Sequence, residues 1–298
     1  MTQETFVRKA SDVDERKSSK GIDFPPLPEA LEVPIYDNHT HLEFQFVDEL
    51  EPLAVTEHLD RAESVGIKAV VQVGVTLESS KWSAGLAERE SRVLAAVAIH
   101  PNEAPLYGTL SALDEAIAEI ADLAKKPRVR AIGETGLDFF RTKGDDSIAL
   151  QRHSFEQHIE IAKQNGIALM IHDRDAHDDV VETLKRVGSP DRVVFHCYSG
   201  DVELAEICAE NGWYMSFAGN ITIKRNQHLR DSLKLAPKEL ILIETDAPFL
   251  APEPYRGRPN TSYLVPITAR FMAEVRDTDL NELCLQLASN TEAVYGQW

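Results

Sequence analysis

Apolar positions recur along the chain in two alternating rhythms. Short runs of consecutive apolar residues, such as KAVVQV (Lys68–Val73), VLAAVAI (Val93–Ile99), IALMI (Ile167–Ile171) and LILI (Leu240–Ile243), are separated by segments whose apolar residues return every three or four positions. A continuous apolar run predicts a strand covered on both faces, and the longer spacing predicts a helix with one buried stripe. Predicted strands are Ile35–Asn38, Lys68–Val73, Val93–Ile99, Val129–Gly133, Ile167–Ile171, Val193–Phe195, Trp213–Ser216 and Leu240–Ile243. Predicted helices lie between them at Val55–Val65, Ser79–Arg89, Leu110–Lys125, Ile148–Asn165, Asp178–Val187, Val202–Asn211 and Gln227–Leu235, with a final pair over Ser262–Glu274 and Thr278–Tyr295. Eight such units over about 260 residues have the count and size of a (β/α)8 TIM barrel, an α/β fold in one domain. An open doubly wound sheet would carry a glycine-rich turn after its first strand, and DNHTHL (Asp37–Leu42) is nothing like one. Residues 1–33 stand outside the rhythm, polar at first and then proline-rich (FPPLPEALEVP). They predict a partly flexible N-terminal extension whose proline part packs as extended chain, with the barrel over residues 34–298.

Composition narrows the class. No apolar run approaches the roughly 18 residues of a membrane helix, and the first residues carry no apolar signal region. Three cysteines without CxxC spacing indicate neither a disulfide framework nor a thiolate zinc site, which fits a reducing cytoplasm, and a cytoplasmic monomer that engages no membrane is the expectation. The net charge of −18 argues against binding a polyanion over the whole surface, while leaving room for a small basic site.

The predicted strand ends hold the chemistry. Strand one ends in Asp37, His39 and His41, strand three in His100, strand four in Glu134 with Asp138 beyond, strand five in His172, strand six in His196, and strand eight in Glu244 and Asp246. In a barrel all these ends share one face, where active sites form. Histidine and carboxylate without cysteine suit Zn²⁺, Mn²⁺ or Mg²⁺ in a hydrolytic role. Residues i and i+2 of a strand point the same way, so His39 and His41 can face one ion. Glu134 is placed to bridge two divalent ions, with His172 and His196 completing the second and Asp246 closing the first. Such a pair would clamp a phosphoryl or acyl oxygen and activate water. Each feature alone has an ordinary structural explanation; their common register is what carries the argument. His58, His153, His158, His177 and His228 fall in helical patterns and are expected to be solvated. Cys197 beside His196 faces away from it and is expected to pack rather than react.

Six ordered motifs, DNHTHL, AIHP (Ala98–Pro101), IGETGLDF (Ile132–Phe139), HDRDA (His172–Ala176), HCYSG (His196–Gly200) and ETDAPFL (Glu244–Leu250), resemble the TatD family of metal-dependent hydrolases from about residue 35 onward. The resemblance implies a TIM barrel, a divalent-metal site and hydrolase activity, with DNase activity in some members. It implies His39, His41, Glu134 and Asp246 on one metal, Glu134, His172 and His196 on the other, and His100 beside the scissile phosphate. Asn38 replaces the small hydroxyl residue more usual there and should face away from the metal. RGRPNTSYL (Arg256–Leu264) departs from the family's corresponding stretch, and the first 33 residues have no counterpart in it.

Loops predicted after strands four, five, seven and eight carry Arg141 and Lys143, Arg174, Lys224 and Arg225, and Arg256 and Arg258. They suggest a local basic collar that would hold a short DNA end through its phosphates. Tyr198 and Phe249 are candidates for base stacking or for packing. The expected function is a deoxyribonuclease of exonuclease type, with Asp246 as general base, His100 at the phosphate, and Arg174 and Arg256 binding substrate. The alternative is an ester or amide hydrolase such as a D-aminoacyl-tRNA deacylase. A carboxylated lysine at the end of strand four is common in binuclear amidohydrolases; Glu134 in its place favours phosphodiester work.

Overall fold

The computed structural model describes residues 6–9, 23–46, 50 and 53–298. Eight parallel strands form the barrel wall: β1 (Ile35–Thr40), β2 (Ile67–Val73), β3 (Val93–Val97), β4 (Val129–Asp138), β5 (Ala168–Arg174), β6 (Val193–Phe195), β7 (Tyr214–Phe217) and β8 (Ile241–Ile243). They pair in sequence order from β1 to β8. Between β8 and β1 the wall is joined by a parallel bridge of Thr40 with Ala247, where His41 N–H donates to the Ala247 carbonyl at 2.8 Å and Asp246 N–H to the His39 carbonyl at 2.9 Å. Around the wall run α1 (Val55–Ser64), α2 (Leu77–Arg89), α3 (Leu110–Leu123), α4 (Asp145–Asn165), α5 (His177–Val187), α6 (Val202–Asn211), α7 (Gln227–Leu235), α8 (Val265–Arg276) and α9 (Leu280–Tyr295). The predicted TIM barrel is the observed fold.

Boundaries follow local chemistry. Thr76 caps α2 by accepting from Ser79 N–H, and Asp279 caps α9 by accepting from Asn281 and Glu282 N–H, so α9 starts at Leu280 rather than Thr278. Ser262–Leu264 forms a 3-10 turn ahead of α8 rather than its first turn. The largest difference is β4, which continues past Gly133 to Asp138. Its second half pairs with β5 from Thr135↔Ile171 to Asp138↔Arg174 after a register shift between Ile132 and Thr135. Gly136 makes that approach possible: its φ is +140°, and a Cβ there would strike the His172 carbonyl oxygen.

The barrel interior is filled by alternate residues of neighbouring strands. Val71 and Val73, Leu94 and Ala96, Ala131, Ala168 and Met170, Val194 and Leu242 make one buried cluster, the period-two pattern of inward-facing positions. Stepping two residues further along β5, from Met170, reaches His172, and along β6, from Val194, reaches His196. The apolar plug therefore gives way to polar ligands at the C-terminal end of the wall. No helix among the described residues is long and apolar enough to cross a membrane.

Residues 24–30 lack regular secondary structure and are pinned by the barrel. Tyr263 Oη donates to the Pro25 carbonyl at 2.6 Å, Arg258 to the carbonyls of Asp23 and Phe24, and Leu31 N–H to the Val65 carbonyl at 3.0 Å. Arg8–Lys9 pairs in parallel with Phe44–Gln45. The predicted flexibility of the polar part falls mainly on residues 1–5 and 10–22, outside the described residues.

Candidate metal centre

Four acceptor atoms from three parts of the wall converge on one point. His39 Nε2 lies 3.1 Å from His41 Nε2, 3.7 Å from Glu134 Oε2 and 3.6 Å from Asp246 Oδ1. His41 Nε2 lies 3.9 Å from Glu134 Oε2 and 3.6 Å from Asp246 Oδ1. The other Glu134 oxygen faces a second group: Oε1 is 2.7 Å from His172 Nδ1, 2.9 Å from His196 Nε2 and 3.4 Å from His100 Nε2. The carboxylate thus stands between two sets of imidazoles, and the six predicted metal ligands form one cluster, with predicted substrate-side His100 beside it.

The far ring nitrogens decide what the near ones can do. His41 Nδ1 meets the Val73 carbonyl at 3.0 Å, so it must donate, which in the neutral imidazole leaves Nε2 a bare lone pair. His39 Nδ1 faces the Met170 sulfur at 3.1 Å, which cannot donate, so its Nε2 is a lone pair as well. Two lone pairs 3.1 Å apart, flanked by two carboxylate oxygens, repel each other unless a cation lies among them. A divalent ion fits this donor set of nitrogen and oxygen. His196 Nδ1 reaches Glu244 Oε1 at 3.1 Å and His172 Nε2 reaches Asp138 Oδ2 at 3.3 Å. A carboxylate behind each imidazole fixes the tautomer and raises ligand basicity, as at metal centres generally.

The same crowding shifts the titrations. Burial drives His39 well below its ordinary value, helped by neighbouring His196. Burial pushes His41 down too, but Asp246, Glu43 and Glu134 outweigh it and leave it raised. Burial favours the neutral form of Glu134, yet the imidazoles of His196 and His100 hold it well below the usual carboxylate range. Burial also opposes charge on His196; Glu134 and Glu244 overcome it and raise the imidazole well above its ordinary value. Absent a metal ion, protons are the cations this cluster recruits.

His100 differs from the others. Its Nδ1 accepts from Asn102 N–H at 3.0 Å, so Nε2 carries the hydrogen and points it at the cluster. Burial lowers its pKa to about 4, which keeps it a neutral hydrogen-bond donor.

The structure adds positioning residues whose roles the sequence left open. Asp37 is fully buried and accepts from Thr245 N–H at 2.9 Å and Thr245 Oγ1 at 2.5 Å, which ties β1 to the turn presenting Asp246. Asp246 sits there at φ +54°. Asn38 turns to the wall and donates to the Ile243 carbonyl at 2.7 Å, facing away from the cluster as expected.

Several expectations are corrected. His58 and His158 are buried, not solvated. His58 Nε2 accepts from Ser262 N–H at 3.2 Å, joining α1 to the turn before α8. His158 Nε2 accepts from Ile99 N–H at 3.4 Å and its Nδ1 meets Thr135 Oγ1 at 2.9 Å, joining α4 to the wall. Helical spacing could not distinguish them from His228, which is exposed. Tyr198 is buried with its hydroxyl on the Asp201 carbonyl, so it packs rather than stacks on substrate. Burial keeps the Cys197 thiol well above its ordinary pKa, in line with the expectation that it forms no reactive dyad with His196. In the collar, Arg258 is spent on the Asp23 and Phe24 carbonyls. Arg256, by contrast, stays exposed beyond β8.

The family model described as TatD related DNase matches residues 36–296. The chain belongs to the TatD family. A Mycobacterium tuberculosis protein described as the uncharacterized metal-dependent hydrolase TatD is 40% identical over 263 residues, covering 87% of this chain and 97% of that one. The uncharacterized metal-dependent hydrolase YabD of Bacillus subtilis is 31% identical, covering 88% and 98%. The crystal structure of YjjV, a TatD homologue from Escherichia coli, superposes with a TM-score of 0.78 at 26% identity, covering 89% and 98%. This TatD-family chain is a metal-dependent hydrolase, and its clustered histidines and carboxylates are the groups suited to the metal.

Proposed function

We propose that the chain is a deoxyribonuclease that hydrolyses phosphodiester bonds at a DNA end. His39, His41, Glu134 and Asp246 would hold one divalent ion, and Glu134, His172 and His196 a second. Bound there, such ions polarise a phosphoryl oxygen and lower the pKa of water. Asp246, the most open carboxylate of the cluster at 15% side-chain exposure, takes the proton from the attacking water. His100 donates its Nε2–H to a phosphate oxygen and stabilises the charge that grows there. Being neutral, it acts by hydrogen bonding rather than as an acid. Glu244, Asp138 and the Val73 carbonyl hold the imidazoles in the tautomers the ligands need. Arg174 and Arg256 bind the flanking phosphates.

The observation that carries this reading is Arg174. It ends β5 two residues after His172, and no hydrogen bond or ion pair among the described residues engages its guanidinium. A guanidinium with its hydrogen-bond donors unspent, on a chain of net charge −18, suits a phosphate and is unneeded for a small neutral amide. Purified protein treated with EDTA, then given Mg²⁺, Mn²⁺ or Zn²⁺, tests it on end-labelled single-stranded DNA beside a D-aminoacyl-tRNA. Metal-dependent loss of terminal nucleotides with no release from the tRNA is expected. Deacylation without DNA cleavage would overturn the reading.

A further inference from the structure

We propose that Phe140, with the Arg174 guanidinium laid over its ring, is the platform on which the terminal base of the DNA substrate stacks. The inference rests on the nuclease reading above. Phe140 lies two residues beyond Asp138, which braces His172, and Arg174 lies two residues beyond His172 itself. Asp138 and Arg174 are paired in register at the C-terminal ends of β4 and β5, so both side chains belong to the rim around the candidate metal centre. Arg174 Cζ is 3.9 Å from the centroid of the Phe140 ring. Phe140 nevertheless stays 53% exposed.

A single exposed phenylalanine is ordinary surface. Two things set this one apart: its position two residues past Asp138, whose carboxylate meets His172, and the cation held against it. The stack restrains a long flexible side chain while leaving its fork of donors unspent. The guanidinium is then ready for a phosphate, and the open part of the ring for a base. Base and phosphate of one nucleotide are the pair of features such a couple binds, and stacking tolerates any sequence because every base has a π-face.

The test uses metal-loaded full-length protein and end-labelled single-stranded DNA whose terminal nucleotide is either ordinary or abasic. Phe140→Ala is expected to raise KM for the ordinary end about tenfold, with kcat changed less, and Phe140→Tyr to restore it. On the abasic end the wild type loses its advantage and shares one KM with Phe140→Ala. Equal KM values on the ordinary end would overturn the platform, as would an equal rise on the abasic end, which marks a purely structural role. Protein that cleaves no DNA would overturn both this inference and the reading beneath it; cleavage indifferent to Phe140 overturns the platform alone.

Discussion

Glu244 offers the sharpest test of how the second half of the centre is tuned. It is fully buried, and its Oε1 accepts from His196 Nδ1 at 3.1 Å and from Cys197 N–H at 2.7 Å. Glu244→Gln keeps the volume and an acceptor oxygen but removes the charge behind the imidazole. A hydrogen bond to a charged group contributes about 1.5–3 kcal/mol, against about 0.5–1.5 kcal/mol for a neutral one. The midpoints differ by about 1.25 kcal/mol, which corresponds to nearly a tenfold loss of metal affinity. That sits at the low end of the roughly 10–100-fold expected for outer partners of a ligating histidine. The assay is calorimetric titration of chelator-stripped protein with Zn²⁺, with thermal unfolding in EDTA as the control for folding. Weaker binding is expected, with unfolding in EDTA still cooperative and its temperature lowered only by the loss of that one charged hydrogen bond. Unchanged affinity would refute the claim that Glu244 polarises His196. Glu244→Ala is a different perturbation, because it strands two buried donors at about 1–3 kcal/mol each, and so should also lower stability.

Asp246→Asn is expected to lower kcat by about 10²-fold or more, the scale of general-base catalysis, with the fold intact by circular dichroism; near-normal turnover would exclude Asp246 as the base. Replacing His100 by alanine removes one fixed donor and should cost about 10²–10³-fold in kcat, and a pH–rate profile unchanged in shape would support its neutral role. The buried His158, held at a pKa of about 3 against an ordinary 6.5, gives a pH-dependent stability of definite sign. Its folded value is depressed, so its contribution is complete above pH 6.5 and is lost as pH falls toward 3. Between pH 7 and pH 5 that loss is about 1.9 kcal/mol. Urea denaturation at pH 7 and pH 5 should show a smaller drop for His158→Gln than for wild type, and an equal drop would contradict the assignment.

The barrel was legible because buried strands are apolar on both faces and helices are not, so one pattern separated the elements. The six candidate ligands were legible because strand ends in a barrel share a face. Glu134 was reached from its place at a strand end, but its orientation was not readable. It lies three residues after the inward-facing Ala131, and simple alternation would have sent it outward; the register shift between Ile132 and Thr135 brings it back. The roles of Asp37, Asp138 and Glu244 stayed hidden for a related reason. Which acid backs which imidazole depends on cross-strand neighbours, such as Glu244 with His196 across 48 positions, and local spacing does not record them. The burial of His58 and His158 is not legible in the sequence, because a helical histidine on a buried stripe looks like one on an open stripe until its partners are known. Arg258 read as part of a collar, yet the N-terminal segment takes its donors.

The central claim is that Glu134 joins two metal sites in one centre. The most direct measurement is the metal content per chain of protein stripped with chelator, reloaded with Mn²⁺ or Zn²⁺ and freed of excess ion. The account predicts two equivalents in the wild type, falling in Glu134→Ala. One equivalent or none in the wild type, or two that survive the loss of Glu134, would contradict it.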